Sequence, residues 1–184
     1  MRIKYLRKAE LKRFFAQITD KRDRALFAAI YHYGLRVSEA TLLKLEDIDF
    51  ERSSIYIHRL KGGVCGEKPL FSNTAKLLKE YLKERQPTGE ALFTGRQGDL
   101  KRRQIQNLFK AYMKKAGLDA RYTVHCLRHS IATHLIDAGQ DIHFVQDHLG
   151  HTNIQNTLVY AHLTDKRRKA VFKKLEASTA VVKV

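Results

Sequence analysis

The apolar period changes once along this chain, and that change limits the fold more than any other feature. In residues 53–59, S-S-I-Y-I-H-R, apolar and polar side chains alternate, so successive residues face opposite sides as in a strand. K-G-G-V-C-G then supplies turn residues, and E-K-P-L-F reads as a second short strand. Elsewhere the apolar spacing is three and four. Leu11, Phe14, Phe15 and Ile18 mark a helix over 8–18, and a second runs from Asp23 to Tyr33, where Gly34 can end it. Further helices are predicted at 37–44, 74–85, 101–116, 126–138, 142–149, 153–160 and 165–175. Gly117, Gly139 and Gly150 act as stops and Asp141 as a cap. The predicted fold class is mainly α with a small antiparallel β-sheet (α+β), the sheet being a hairpin or three-stranded ribbon near residues 49–71.

A chain of 184 residues, 43% hydrophobic, can bury a core without covalent staples. It contains no internal repeat, low-complexity tract or Pro/Gly/Ser linker, so residues 1–184 are expected to form one domain. No apolar run approaches the roughly 20 residues that span a bilayer. The opening M-R-I-K-Y-L-R-K lacks the apolar segment of a secretory signal, so no membrane association and a cytoplasmic location are expected. Cys65 and Cys126 have no paired spacing and read as reduced thiols.

Charge narrows the partner. With 35 Lys and Arg against 19 Asp and Glu, the net charge is +16, which favours polyanions. The excess concentrates in residues 2–13, in K-R-R-Q-I-Q-N-L-F-K-A-Y-M-K-K (101–115) and in K-R-R-K-A-V-F-K-K (166–174). Basic residues interleaved with Gln and Asn, without a bulky apolar face for lipid, point to nucleic acid rather than an anionic membrane. Lys101, Arg102 and Arg103, at the start of a basic helix, are expected to contact the DNA backbone or a groove edge.

The residues that carry chemistry are few. In T-V-H-C-L-R-H-S, His125 and Arg128 are three apart and project to the same side of a helix, with His129 one turn from His125. An arginine fork suits a site where negative charge grows on phosphorus. Arg36 in Y-G-L-R-V-S-E-A offers a second fork, with Glu39 three residues on. Lys61 lies in the hairpin turn as a candidate proton donor, and Tyr160 is the nucleophile of the set. A phenol titrates near 10, so the arginines and a histidine are expected to activate it. His125 and His129 also have an i, i+4 spacing that zinc can use, but position 126 is Cys rather than the Glu of H-E-x-x-H, and the other ligand candidates follow no closed-site spacing.

G-L-R-V-S-E around Arg36, Lys61 in the turn, H-C-L-R-H around Arg128, L-G-H at His151 and Y-A-H at Tyr160 together resemble the tyrosine recombinases, or phage-type integrases. The order and spacing agree over nearly the whole chain, including nine positions from His151 to Tyr160. The resemblance implies the catalytic-domain fold of that family and DNA cleavage and rejoining through a covalent 3′-phosphotyrosine, with no metal and no cofactor. Tyr160 would be the nucleophile, Arg36 and Arg128 would stabilise the pentacoordinate phosphorus, His125 would be the general base and Lys61 the general acid. His151 would hydrogen-bond a non-bridging oxygen, and Glu39 would support Arg36. His129 and His162 match the pattern and are read as structural.

The resemblance further implies a tetramer on DNA. In it, residues 165–184 would be exchanged between protomers, with Ala170, Val171, Phe172 and Leu175 as a buried stripe, and accessory DNA-bending proteins are further candidate partners. The family's N-terminal core-binding domain is expected to be absent, as in the short fimbrial phase-variation invertases, which share a similar I-Y-I-H-R-L-K stretch. Two other readings stay open: a non-catalytic, sequence-specific DNA-binding module, and a type IB topoisomerase-like enzyme using the same intermediate.

Overall fold

The computed structural model describes residues 3–60, 62–86, 89–161 and Lys173. Two helices lead: α1 (Lys8–Ala16) and α2 (Lys21–His32). Asp20 caps α2 by accepting the Asp23 N–H at 2.9 Å. Leu11, Phe14 and Ile18 are buried as their spacing predicts. Helix α3 (Val37–Ala40) is shorter than the predicted 37–44. The Thr41 hydroxyl donates to the Ser38 carbonyl at 2.8 Å, a local bond that competes with helix continuation. A 3₁₀ turn at Leu45–Asp47 follows.

The change of period marks a three-stranded antiparallel sheet, β1 (Ile48–Asp49), β2 (Ser54–Ile57) and β3 (Gly66–Pro69), in that order. Ile55 pairs with Lys68, and Ile57 with Gly66, which sends Ile55 and Ile57 into the core and Tyr56 outward. Helix α4 (Ser72–Leu82) precedes a two-stranded ribbon, β4 (Thr94–Gly95) and β5 (Gly98–Asp99), that no sequence signal marked. The remaining helices are α5 (Arg102–Lys115), α6 (His125–Asp137), α7 (Ile142–Leu149) and α8 (Gln155–Ala161).

Nine residues of α6 are buried, including Arg128, so this helix runs through the interior and lacks a one-sided apolar stripe. The larger apolar cluster joins α1, α2, α4, α5, the sheet and the start of α6. A second cluster, built from Ile131, Ala132, Ile136, Val145, Leu149 and Tyr160, packs α6, α7 and α8 together. Tyr160 thus sits where the last described helix meets the central one. Among the described residues no helix is long and apolar enough to cross a membrane. Lys61, His162 and the segment 165–184 apart from Lys173 lie outside the described residues.

Candidate active site

The site is assembled where two chain reversals meet the start of a helix. Helix α2 ends at Tyr33, and Gly34 takes a left-handed φ of +56°. A Cβ there would stand 2.5 Å from Leu149 Cδ2, so glycine alone lets the α2–α3 turn press against the end of α7. Helix α7 ends the same way at Gly150, φ +68°, just before His151. Helix α6 begins at His125, between these two turns.

Arg128 clamps both reversals. Its guanidinium donates to the Gly34 carbonyl through Nη1 and to the Leu149 carbonyl through Nη2 at 3.0 Å. Beside it lies Glu39, 1% exposed. Its carboxylate accepts from Arg36 Nη1 at 2.6 Å, the Arg36 backbone N–H at 2.9 Å and Arg59 Nη1 at 2.9 Å. Arg128 Nη1 stands 3.8 Å from the same carboxylate. Three guanidinium groups around one carboxylate leave two positive charges in excess. Arg36 is the most open of the three, with a side chain 32% exposed against 1% for Arg59 and Arg128. Burial alone would raise the Glu39 carboxyl, but the Arg36 N–H and the Arg59 and Arg36 guanidinium groups hold it below its ordinary value. Burial, then Arg36 and Arg59, lower Arg128 to about 10, so it stays charged at neutral pH.

The histidines border this cluster. His151 donates to or accepts from Thr157 Oγ1 at 2.8 Å through Nδ1. Burial and then Arg128, Arg36 and Arg59 lower it to about 4. Burial and the same two arginines, Arg128 and Arg36, lower His125 as well. The Tyr160 hydroxyl pairs with His129 Nδ1 at 2.8 Å, and the His125 ring meets His129 edge-on at 4.5 Å. The first proton partner of the phenol in this arrangement is therefore His129, expected to be structural, and not His125, the expected base. Burial, then His125 and Arg128, lower His129 to about 4, leaving it neutral at pH 7. Burial raises the Tyr160 pKa; Arg128 and Arg36 act on it in the expected direction and pull it down, but burial outweighs them and the net shift is upward.

Five of the six candidate catalytic residues, with Glu39, are thus brought together, and the sixth, Lys61, lies outside the described residues. Lys101, Arg102 and Arg103 are exposed at the N-terminal end of α5. They share no hydrogen bond or ion pair with the cluster among the described residues. Arg59 is the functional candidate that sequence reading missed. It continues the inward phase of Ile55 and Ile57, and an arginine at a core-facing strand position is the signal that marks it.

The burial of histidines has a measurable consequence. His32, His129, His148 and His151 each fall from an ordinary 6.5 to about 4, burial being the first cause in all four. Between pH 6.5 and 4 the unfolded chain therefore binds protons that the folded chain does not. Their contribution to stability is full above about pH 6.5 and is lost as pH falls toward 4. Urea unfolding at pH 5 is expected to show stability lower by roughly 3 kcal/mol or more than at pH 7. Equal midpoints at the two pH values would contradict these environments.

The chain and its fold match known proteins. The model of the phage integrase family matches residues 4–167, and the chain belongs to that family. It is 35% identical over 175 residues to the tyrosine recombinase XerA of Pyrococcus horikoshii, covering 93% of this chain and 61% of that protein. It is 39% identical over 166 residues to the tyrosine recombinase XerC of Pelotomaculum thermopropionicum, covering 83% and 53%. The chain therefore spans between 53% and 61% of the length of these two relatives. Among solved structures, the XerA recombinase superposes with a TM-score of 0.81 at 30% identity, over 92% of this chain and 64% of that one. The XerH recombinase in a post-cleavage complex with its palindromic difH substrate gives 0.79 at 27% identity, over 95% and 54%. The mainly helical fold with small antiparallel sheets is that of tyrosine recombinase catalytic domains.

Proposed function

We propose that this chain cuts and rejoins double-stranded DNA at specific sites through a covalent 3′-phosphotyrosine, as a site-specific recombinase of the integrase kind. The observation that carries the reading is a Tyr160 phenol bonded to His129 and acted on by Arg128 and Arg36, within a cluster that has His125 against His129, His151 in the field of the same arginines and an excess of positive charge. Such a cluster suits a phosphodiester, whose non-bridging oxygens gain charge as phosphorus becomes pentacoordinate. Arg36, the most open arginine, and Arg128 hold those oxygens, and His151 donates to one of them.

In the cleavage step the Tyr160 oxygen bonds to phosphorus and the bond from phosphorus to the 5′ oxygen breaks. The phenol proton passes to the His129–His125 pair, neutral at pH 7 and therefore able to accept it. Lys61 supplies the proton for the departing 5′ hydroxyl, a role that rests on the family pattern. Each step exchanges one ester for another, so the bond energy is kept for rejoining and neither metal nor nucleotide is required. Because the phenol is 2% exposed, reaching a DNA phosphate requires the seven-residue α8 to swing outward. Strand exchange between two sites calls for several copies on DNA. The tetramer, exchange of residues 165–184, the accessory DNA-bending proteins and the cytoplasmic location belong to the same reading.

The test is a pool of nicked duplexes of randomised sequence, in which cleavage beside the nick releases a short fragment and prevents rejoining. In a chelator, the protein is expected to form an adduct that survives detergent, enriched for particular sequences. An adduct without enrichment favours the topoisomerase-like reading, and no adduct favours the DNA-binding module.

The basic end of α5 gives a separate expectation. Replacing Lys101, Arg102 and Arg103 with Ala should weaken DNA binding across all sequences. It should also flatten the dependence of log affinity on log salt by about 2 to 3. A slope unchanged from wild type would remove these three residues from the DNA interface.

A further inference from the structure

We propose that Arg59 is a positioning residue of the phosphate site, holding the Glu39 carboxylate so that Arg36 and Arg128 face the scissile phosphate. The inference rests on the functional reading above. Arg59 lies two residues beyond the end of β2, in phase with its inward-facing side chains, and both its terminal nitrogens donate to protein. Nη1 reaches Glu39 Oε2 at 2.9 Å and the Gly34 carbonyl at 3.4 Å, and Nη2 reaches the carbonyls of Tyr33 at 2.9 Å and His148 at 2.8 Å. These are carbonyls at the ends of α2 and α7, which lack helical partners. Arg128 takes the neighbouring carbonyls of Gly34 and Leu149. The two arginines therefore lie side by side and fasten the same two segments.

Glycine makes the fit. A Cβ on Gly150 would stand 2.8 Å from Arg59 Nε, and one on Gly63 would stand 2.8 Å from Arg59 Cβ. The Val64 N–H donates to the Gly150 carbonyl at 3.3 Å, so the β2–β3 loop is joined to the residue before His151. Both terminal nitrogens of Arg59 are engaged and its side chain is 1% exposed, so it does not face a DNA phosphate directly. It acts through Glu39. Without it, the carboxylate keeps Arg36 and the more distant Arg128, and it draws them inward, away from substrate. Lysine does not replace it, because one ammonium cannot present a fork to the carboxylate and to carbonyls on two segments together.

The experiment compares wild type, Arg59→Lys, Glu39→Gln and the double variant. Each is measured for thermal unfolding, for affinity to a nicked duplex selected by the wild-type chain, and for the single-turnover rate of adduct formation at saturating DNA. Arg59→Lys is expected to bind DNA within threefold of wild type and to form adduct at least 30-fold more slowly. The double variant is expected to lose far less than the product of the two single losses, because both act through one contact. If Arg59→Lys does not fold, Arg59→Met/Glu39→Gln, which leaves no unpaired carboxylate, is read against Glu39→Gln and is expected to be no more than threefold slower. A folded Arg59→Lys that cleaves within threefold of wild type overturns the inference, as do losses that multiply or a defect wholly accounted for by DNA affinity. A wild-type chain that forms no adduct instead overturns the functional reading itself.

Discussion

Tyr160→Phe is expected to abolish the covalent adduct, by at least about 10⁴-fold, with DNA affinity kept within about twofold. The substitution removes one oxygen. The ring stays in an apolar setting of Ile131, Ala132, Ile136, Val145 and Leu149, and the interaction removed is the 2.8 Å hydrogen bond to His129. Breaking that bond costs about 1 kcal/mol of stability, too little to account for a missing adduct. Denaturing gels after incubation with nicked DNA read the result, and binding by anisotropy supplies the control. Adduct formation at a tenth of the wild-type rate would assign the nucleophile elsewhere.

Arg128→Met should damage both chemistry and fold, and the contrast with Arg36→Met separates the two roles. Methionine approximates the length of the arginine stem but leaves the Leu149 carbonyl without a donor in a buried setting and the Gly34 carbonyl with only the long 3.4 Å bond from Arg59. It also withdraws one of the three cations around Glu39. Each orphaned acceptor costs about 1 to 3 kcal/mol, so a loss of about 3 kcal/mol is expected in urea unfolding. Cleavage is expected to fall by at least about 10³-fold through loss of transition-state stabilisation. The Arg36 side chain is 32% exposed and its guanidinium bonds to Glu39 alone among the described residues. Arg36→Met should therefore slow cleavage by a similar factor at a clearly smaller cost in stability. Equal stability losses would show that Arg36 is as much a structural clamp as Arg128, and cleavage by Arg128→Met within tenfold of wild type would remove it from the reaction.

What could be read from sequence depended on whether a residue's neighbours were local. The support of Arg36 by Glu39 that the family resemblance implied takes the form of a local ion pair, because the two residues stand three apart across the start of α3. The alternation in S-S-I-Y-I-H-R foretold β2, and glycine foretold the left-handed turns at 34 and 150. Arg59 was hidden because its partners Glu39, Tyr33 and His148 belong to three other elements, and only its inward strand phase pointed to it. The pairing of His129 with Tyr160 depends on how α8 packs on α6, so the family resemblance favoured His125 while packing brought His129 forward. The sign of the Tyr160 shift required knowing how deeply the phenol is buried. The β4–β5 ribbon has two residues in each strand, too few for any period to register.

Proteolysis of the trapped complex followed by mass spectrometry of the DNA-linked peptide identifies the nucleophile and the polarity of the linkage together. The expected product is a peptide that includes residues 155–161, with a 3′-phosphoryl nucleotide on Tyr160. A nucleotide linked to a serine, cysteine or lysine, or attached to Tyr160 through its 5′ phosphate, would contradict the proposed chemistry.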